Sequence, residues 1–307
     1  MNPADSTVAN GTNRGTLVAG ATSQVNEKWQ YTVENTYFAF SNKPTYGSNY
    51  GVSFTPNETW RHDAGLIFGS SKSVVDGTSV ERMGLSWAST YANGDTERAG
   101  LRLEYSRDTS TDTVAVNDRK NYAVSAYWDR RVDPDWRWIA NFDAVVSQSD
   151  QTSFRDGKYA ELTFGYAYRP VNNDRTNGLI SLTILYDMPG ADQVNRDGNI
   201  NGAKQQSLIL NAAVNHDLTD TVTIGAKYGY RVRKMAARDS ETFTQSLTHL
   251  GILRLDYHVV HNWDLMAEGR INRFVETGVN EYGANLGVYR HFGNSLKADV
   301  GYSWGKV

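Results

Sequence analysis

Histidines are the residues of this chain best suited to acid–base chemistry, because the imidazole titrates near neutral pH. They are His62, His216, His249, His258, His261 and His291. His258 follows Asp256 by two positions, so on a strand the carboxylate could orient the imidazole as a base for a serine such as Ser246. No spacing marks that serine as a nucleophile. The residues therefore favour a chain without catalysis. A hydrolase of the outer membrane is the third and least favoured of the functions considered in this section.

The segment 187–204 is a second candidate site, because Asn195 and Asp197 offer oxygen atoms of the kind that Ca²⁺ prefers. The calcium-loop pattern fails at both ends, where Gln193 replaces the first aspartate and Lys204 the bidentate glutamate. We interpret the segment as a polar surface loop. The chain has no Cys and no phosphate-binding or dinucleotide motif, so we predict no metal and no cofactor.

Charged residues at every second position form the third chemical feature. They are Arg102, Glu104, Asp129, Arg137, Asp143, Glu161, Lys227, Arg231, Arg233, Arg254, Asp256, Glu268, Arg270, Lys297 and Asp299. Charges of both signs would share one face of their strands. If the strands close into a wide barrel, as the repeating pattern described below predicts, the lumen of the barrel holds water. We therefore predict that these side chains face the lumen and stay hydrated.

The predicted lumenal charges are unevenly distributed. Lys227, Arg231 and Arg233 fall on one predicted strand with Arg254 on the next, whereas Asp129, Asp143 and Glu161 gather elsewhere. Separated patches would create a transverse field and bias the selectivity of a channel. The alternative is a salt-bridged lumen that only stiffens the wall.

The segment 121–146 shows which elements must position these charges. Tyr122, Val124 and Trp128 alternate with polar neighbours, and the alternation resumes after the turn 132–135. Side chains on a strand point to opposite faces, so each arm has one apolar and one polar face. Each arm is about a dozen residues long, as a tilted strand needs to cross a bilayer. A long hairpin of a soluble sheet is the alternative.

The same unit repeats along the chain. We predict sixteen strands, at 14–25, 28–40, 48–56, 59–70, 79–92, 96–108, 118–132, 135–149, 157–169, 177–188, 204–217, 221–233, 246–259, 262–275, 280–291 and 294–306. Short turns should alternate with longer loops at 41–47, 71–78, 109–117, 150–156, 189–203 and 234–245. The prediction is an all-β, transmembrane, antiparallel up-and-down barrel, with 16–18 strands in the intact protein.

The composition agrees with this class. Mean hydropathy is only −0.55, and no run of about 18 apolar residues predicts a membrane helix, but a barrel conceals its lipid face in alternation. The 31 basic and 34 acidic residues nearly balance, so nucleic acid is not an expected partner. We expect a multi-pass protein of the bacterial outer membrane, in contact with its lipid.

Aromatic residues close to strand ends are predicted to lie at the lipid interface, as in the girdles of outer-membrane barrels. They are Trp128, Trp136, Trp138, Tyr168, Tyr186, Tyr257, Trp263 and Trp304.

The two ends of the predicted barrel lie on the side of the long loops. Residues 1–13 are polar and predicted to be a disordered leader, and residues 14–307 the barrel. Complete single-chain outer-membrane barrels normally keep both termini on the short-turn side, so we predict a fragment that lacks a terminal strand or strands. A miscounted number of strands is the alternative. Upstream surface domains of the same protein, or a partner chain that completes the barrel, are the expected partners.

Several stretches of the second half carry a family resemblance. They are 167–175, 248–257, 263–264, 286–291, 294–296 and 300–304. These stretches resemble the C-terminal outer-membrane barrel of large bacterial envelope proteins built from surface repeats. The resemblance implies a membrane anchor or translocation domain without catalysis, and a general diffusion porin is the alternative. Family members usually end on an aromatic strand residue, whereas this chain ends at Val307.

Overall fold

The computed structural model describes residues 15–39, 45–72, 79–111, 116–150, 157–189, 203–237, 240–260, 262–292 and 296–307. These residues form a single sixteen-stranded sheet. Nowhere in these ranges is there a helix long and apolar enough to cross a membrane.

The strands follow one another without interruption by other elements. Their bounds are β1 Gly15–Gln24, β2 Trp29–Ala39, β3 Thr45–Phe54, β4 Trp60–Lys72, β5 Ser79–Asn93, β6 Glu97–Thr111, β7 Val116–Arg131, β8 Trp136–Ser149, β9 Gly157–Tyr168, β10 Thr176–Met188, β11 Lys204–Thr219, β12 Val222–Ala236, β13 Thr244–Val260, β14 Trp263–Phe274, β15 Asn280–Phe292 and β16 Leu296–Lys306.

Each strand pairs antiparallel with its neighbours in sequence, so the order in the sheet is the order in the chain. This up-and-down arrangement needs only local connections. The predicted fold class and number of strands are therefore confirmed.

The pairing register keeps the alternation in phase from strand to strand. In the hairpin of β7 and β8, Tyr122 lies opposite Val146 and Val124 opposite Ala144, while Ser125 lies opposite Asp143. Residues opposite each other share a face, so apolar residues meet apolar ones across the sheet. We call the side that carries Tyr122 and Val124 the apolar face, and the side that carries Ser125 and Asp143 the polar face.

The sheet has almost no buried core. Ala236 is the one buried hydrophobic residue among the described residues, and Leu253 and Val300 on the apolar face are 62% and 79% exposed. A soluble protein would cover such an apolar surface. The apolar face is therefore suited to contact with lipid.

The short turns are closed by asparagine and aspartate side chains. Between β3 and β4, Asn57 Oδ1 accepts hydrogen bonds from the backbone N–H of Thr59 and Trp60, both at 3.0 Å. Between β7 and β8, Asp133 Oδ1 accepts from the N–H of Asp135 and Trp136 at 2.8 and 2.9 Å. These side chains satisfy backbone donors that no partner strand reaches, which is why such residues occupy the turns.

The strands differ from their predicted bounds mostly at the long-loop end. β6 continues to Thr111, β7 already begins at Val116, and β12 continues to Ala236. Backbone pairing extends beyond the apolar alternation, because polar residues form the same ladder outside the bilayer. The alternation of short and long connections is consequently weaker than predicted, since 112–115 is as short as the turn 132–135.

The two edge strands lie far apart in the strand order. Within the described residues, β1 pairs with β2 alone and β16 with β15 alone. Gly15 lies opposite Ala39 and Lys306 opposite Tyr282, so β1 starts and β16 ends on the long-loop side, where the sequence placed them. The predicted leader at 1–13 lies outside the described residues.

Candidate functional site

The polar face is the candidate functional surface, because the charged side chains converge on it. The register sets Ser125, Asp143 and Glu161 side by side on β7, β8 and β9, and Arg254 beside Glu268 on β13 and β14. When the pairing register is followed from strand to strand, all the charged residues that were predicted to point into the lumen lie on the polar face. That the face lines a water-filled lumen stays a prediction.

Several arginines of the polar face are neutralised by a carboxylate two positions along the same strand. Arg102 Nη2 lies 3.0 Å from Glu104 Oε2, and Arg254 Nε lies 2.7 Å from Asp256 Oδ2. Residues two apart on a strand share a face, so this spacing brings opposite charges together without help from another strand. Arg137 instead reaches diagonally to Asp129, with Nη1 2.9 Å from Oδ2.

Some charged residues of this face were missed in the sequence. Arg61 Nη2 lies 2.9 Å from Asp63 Oδ1 on β4, and Arg82 of β5 lies opposite Asp108 of β6 with its Nε 2.6 Å from Oδ1. The two-residue spacing of Arg61 and Asp63 is the signal that would have identified the first pair. No local signal identifies the second, because its members are 26 positions apart.

An acidic patch lies on β8 and β9. Asp143 and Glu161 are directly opposite each other, and neither carboxylate forms an ion pair with a described residue. Ser125 Oγ donates to Asp143 at 2.6 Å and Tyr159 donates to Glu161 at 2.9 Å. Hydroxyl donors therefore compensate the carboxylates. Asp129 does not belong to this patch, because it is paired with Arg137.

The basic residues of β12 have a different environment. Lys227, Arg231 and Arg233 point to the polar face, and none of them forms an ion pair with a described residue. Arg254, which the sequence grouped with them, is neutralised by Asp256. The sheet therefore retains a basic strand at β12 and an acidic patch at β8 and β9.

The candidate hydrolytic group is not assembled. His258 Nδ1 lies 2.5 Å from Asp264 Oδ1, and His291 Nε2 lies 2.9 Å from Asp264 Oδ2, so the histidine partner is Asp264 and not Asp256. Ser246 lies twelve positions from His258 on the same strand, roughly 40 Å away at the strand rise. The serine–histidine arrangement that the sequence offered as an unfavoured candidate therefore does not form.

The aromatic residues predicted at the lipid interface all occupy the apolar face. Most lie at the short-turn end of their strands. There the ring of Trp136 stacks on that of Tyr166, with 4.5 Å between the ring centroids, and packs against that of Tyr168, with 4.7 Å between the centroids. Trp128 Nε1 donates to Glu97 Oε1 at 2.8 Å, and Arg290 lies over the ring of Trp263 at 5.0 Å. Tyr186 and Trp304 lie near the long-loop end. Contact of these residues with lipid stays a prediction.

The sequence missed a second aromatic group on β2–β5. Trp29 stacks on Phe54 at 4.4 Å, and Trp60 packs against Tyr91 at 5.0 Å, all near the short turns. His62 lies between them, 5.9 Å from Trp60. Its place on the apolar face groups it with the residues predicted at the lipid interface, and the aromatic residues at the strand ends were the available signal.

No cluster of three or more His, Cys, Asp or Glu residues with metal-binding geometry occurs in the described part of the chain. The calcium-like residues Asn195 and Asp197 lie outside it, as does His261.

No protein-family model matches the chain. No curated protein matches it significantly. The resemblance to the C-terminal barrel of surface-repeat proteins therefore stays a prediction.

Solved structures of similar fold do exist. The copper transporter OprC is 15% identical with a TM-score of 0.51, and the match covers 95% of this chain and 60% of OprC. The alcaligin outer-membrane receptor FauA from Bordetella pertussis is 11% identical, with a TM-score of 0.49 and coverage of 94% and 65%. The siderophore receptor PirA from Pseudomonas aeruginosa is 9% identical, with a TM-score of 0.45 and coverage of 97% and 70%.

The match to OprC concerns the fold. At 15% identity it shows that the chain has the fold of an outer-membrane barrel, and the chain spans about 60% of the length of OprC. The prediction of a multi-pass outer-membrane barrel is therefore confirmed at the level of the fold.

Proposed function

We propose that the chain is the barrel wall of a larger outer-membrane protein, in which it anchors or translocates a cell-surface part and performs no catalysis. The observation that carries the proposal is the continuous two-faced meander of sixteen strands. Its apolar face suits lipid, and five arginines of its polar face are neutralised by neighbouring carboxylates.

The edges of the sheet support a larger assembly. β1 and β16 each leave one row of backbone N–H and C=O groups unpaired within the described residues. Unpaired backbone groups are too costly to expose to hydrocarbon. We infer that further strands, from the same protein or from a partner chain, lie between β1 and β16 and complete the barrel.

Planar-bilayer recording of the full protein tests the anchor. A barrel that serves as an anchor is expected to be filled or closed at rest, so the current after insertion should stay at baseline. Insertion itself is verified in parallel by protection of the protein from protease in lipid vesicles. Stable large open steps from inserted protein would contradict the anchor role, and a monodisperse protein purified without detergent would contradict the membrane role altogether.

A diffusion channel is the second candidate, and the basic strand β12 is the observation that favours it. Lys227, Arg231 and Arg233 place three positive charges without an ion-pair partner among the described residues on one strand of the polar face, opposite in sign to the patch of Asp143 and Glu161. Charge of this kind in a water-filled lumen biases permeation towards anions. Open steps whose reversal potential in a salt gradient follows the anion would support this candidate over the anchor.

A further inference from the structure

Two neighbouring strands of the polar face contain hydrogen-bonding atoms that are buried without a partner. On β11 and β12 these atoms are Ser207 Oγ, Arg231 Nε and Arg233 Nε. The side chain of Ser207 is only 6% exposed, so water does not reach its hydroxyl freely. Native structures rarely leave buried polar atoms unsatisfied, so such a concentration in one place points to a missing partner.

The register brings these atoms together. Ser207 lies directly opposite Arg233, and Arg231 is two positions along the same strand, on the same face. On the other side of β12, Ser246 lies opposite Arg233 and Thr248 opposite Arg231. Side chains directly opposite each other on paired strands have their Cβ atoms about 5 Å apart. Arg233 thus has a hydroxyl residue opposite it on both neighbouring strands, and Arg231 has one on β13. We call these five residues the β12 patch.

The β12 patch lacks the carboxylates that neutralise other arginines of the polar face. Arg102 and Arg254 each have a carboxylate two positions away. The equivalent neighbours on β12 are Gly229 and Met235, which carry no charge. The residues opposite Arg231 and Arg233 on β11 and β13 are Ile209, Ser207, Thr248 and Ser246, all uncharged. Two like-charged residues therefore have their Cα atoms about 7 Å apart, with no compensating charge on the residues opposite them.

We propose that the β12 patch binds the phosphate group of a small solute. A guanidinium group offers only donors and keeps its charge at every physiological pH, so its missing partner must be an acceptor and preferably an anion. A phosphate has enough oxygen atoms to accept from both guanidinium groups and from the hydroxyl of Ser207 at once, whereas a carboxylate has only two. The site is a property of the wall and does not depend on whether the barrel is an anchor or a channel.

Titration calorimetry of the full protein in detergent, with inorganic phosphate at an ionic strength of about 0.15 M, tests the proposal. We expect saturable binding of one phosphate per chain. Arg231→Gln and Arg233→Gln should each weaken binding about tenfold or more, because each removes a charge-assisted hydrogen bond. Ser207→Ala should weaken it several-fold without any change of charge.

Lys227→Gln is the matched control. Lys227 lies on the same strand and face and also lacks an ion pair, but it is four positions from Arg231, about 13 Å away. Its substitution removes the same charge as the arginine variants and should leave phosphate affinity within about twofold. Equal weakening by Lys227→Gln and Arg231→Gln would show diffuse attraction instead of a site, and would overturn the proposal.

Two further measurements keep the test decisive. Arg233→Lys retains the charge but not the planar fork of donors, so we expect weaker binding at unchanged net charge. Strand content by circular dichroism identifies variants that fail to fold, in which case the Ser207→Ala and Arg233→Lys results decide. Absence of saturable phosphate binding by the folded unmodified protein, or full affinity in both conservative variants, would refute the site.

Discussion

At the scale of single residues, Tyr127 and Gly100 illustrate how the polar face packs without a core. They lie opposite each other on β7 and β6. The ring of Tyr127 lies over Gly100, so that a Cβ on the glycine would overlap with ring atom Cε1 and lie 2.8 Å from Cζ. An aromatic ring that covers a strand glycine shields its backbone. Such pairs replace part of the packing that a soluble protein obtains from its interior.

Gly100→Ala is expected to destabilise the barrel by up to about 1 kcal/mol, because the half-exposed ring of Tyr127 must leave its position over the glycine. Unfolding by urea in lipid vesicles measures the change. Gly269→Ala is the control, since a Cβ there meets no atom within 4 Å. It should be neutral or slightly stabilising through the unfolded chain. The same destabilisation in both variants would mean that Tyr127 plays no part.

The prediction of which residues share a face was confirmed, because it depends only on whether a residue occupies an odd or an even position along its strand. The charged and aromatic residues fall on opposite faces as predicted, because alternation is a property of the extended backbone itself. The ion-pair partner of each charged residue was harder to predict from the sequence. Asp256 is close enough in sequence to orient His258, but it pairs with Arg254, and His258 contacts Asp264 of the next strand instead.

At the scale of elements, β10 shows why the strands were recognisable. Ile180, Leu182 and Ile184 alternate with Ser181 and Thr183, and the structure places β10 at Thr176–Met188 against a prediction of 177–188. Its interior is unambiguous since one face is apolar throughout. Strand ends were less predictable. β3 runs from Thr45 to Phe54, two to three residues away from the predicted 48–56, because its glycine-rich start gives little alternation.

Arginine substitutions on β10 test which face meets lipid. Leu182 lies at the middle of the strand on the apolar face, and Ser181 is its neighbour on the polar face. Leu182→Arg should destabilise the barrel by about 2–4 kcal/mol, as a charge on the lipid face near the bilayer midplane does. Ser181→Arg should change stability little, because its guanidinium would reach water. Unfolding free energies in vesicles measure both.

If Ser181→Arg destabilised the barrel more than Leu182→Arg, the polar face would be the one in contact with lipid. That result would contradict the assignment of the two faces. Equal small effects would show that neither face lies in a membrane, and would favour a soluble sheet.

At the scale of the whole molecule, the edges of the sheet are the feature that local sequence could not reveal. The strand order runs from β1 to β16 without a pairing between them in the described residues. Alternation describes each strand and its faces. It contains no information about what lies beside the first and last strands, since that depends on strand tilt and on the number of strands that close the barrel.

Disulfide cross-linking tests whether β1 and β16 are neighbours, and the chain has no cysteine of its own to interfere. Ala21→Cys combined with Val33→Cys should cross-link on oxidation, because these positions are directly opposite on β1 and β2. Ala21→Cys combined with Cys at Ala298, Val300 or Tyr302 of β16 should not, because we propose that other strands lie between. Efficient cross-linking of any of these three pairs would rule out intervening strands.

The sequence by itself determined that the chain is a series of sixteen two-faced strands, and which side chains share each face. It could do so because alternation depends only on the local geometry of an extended chain. The tertiary structure alone decided which charges meet between strands. Arg82 of β5 pairs with Asp108 of the neighbouring β6, while Arg231 and Arg233 have only uncharged residues opposite them, among them the buried hydroxyl of Ser207. These relations depend on pairing register, which joins residues far apart in sequence and is invisible in any single strand.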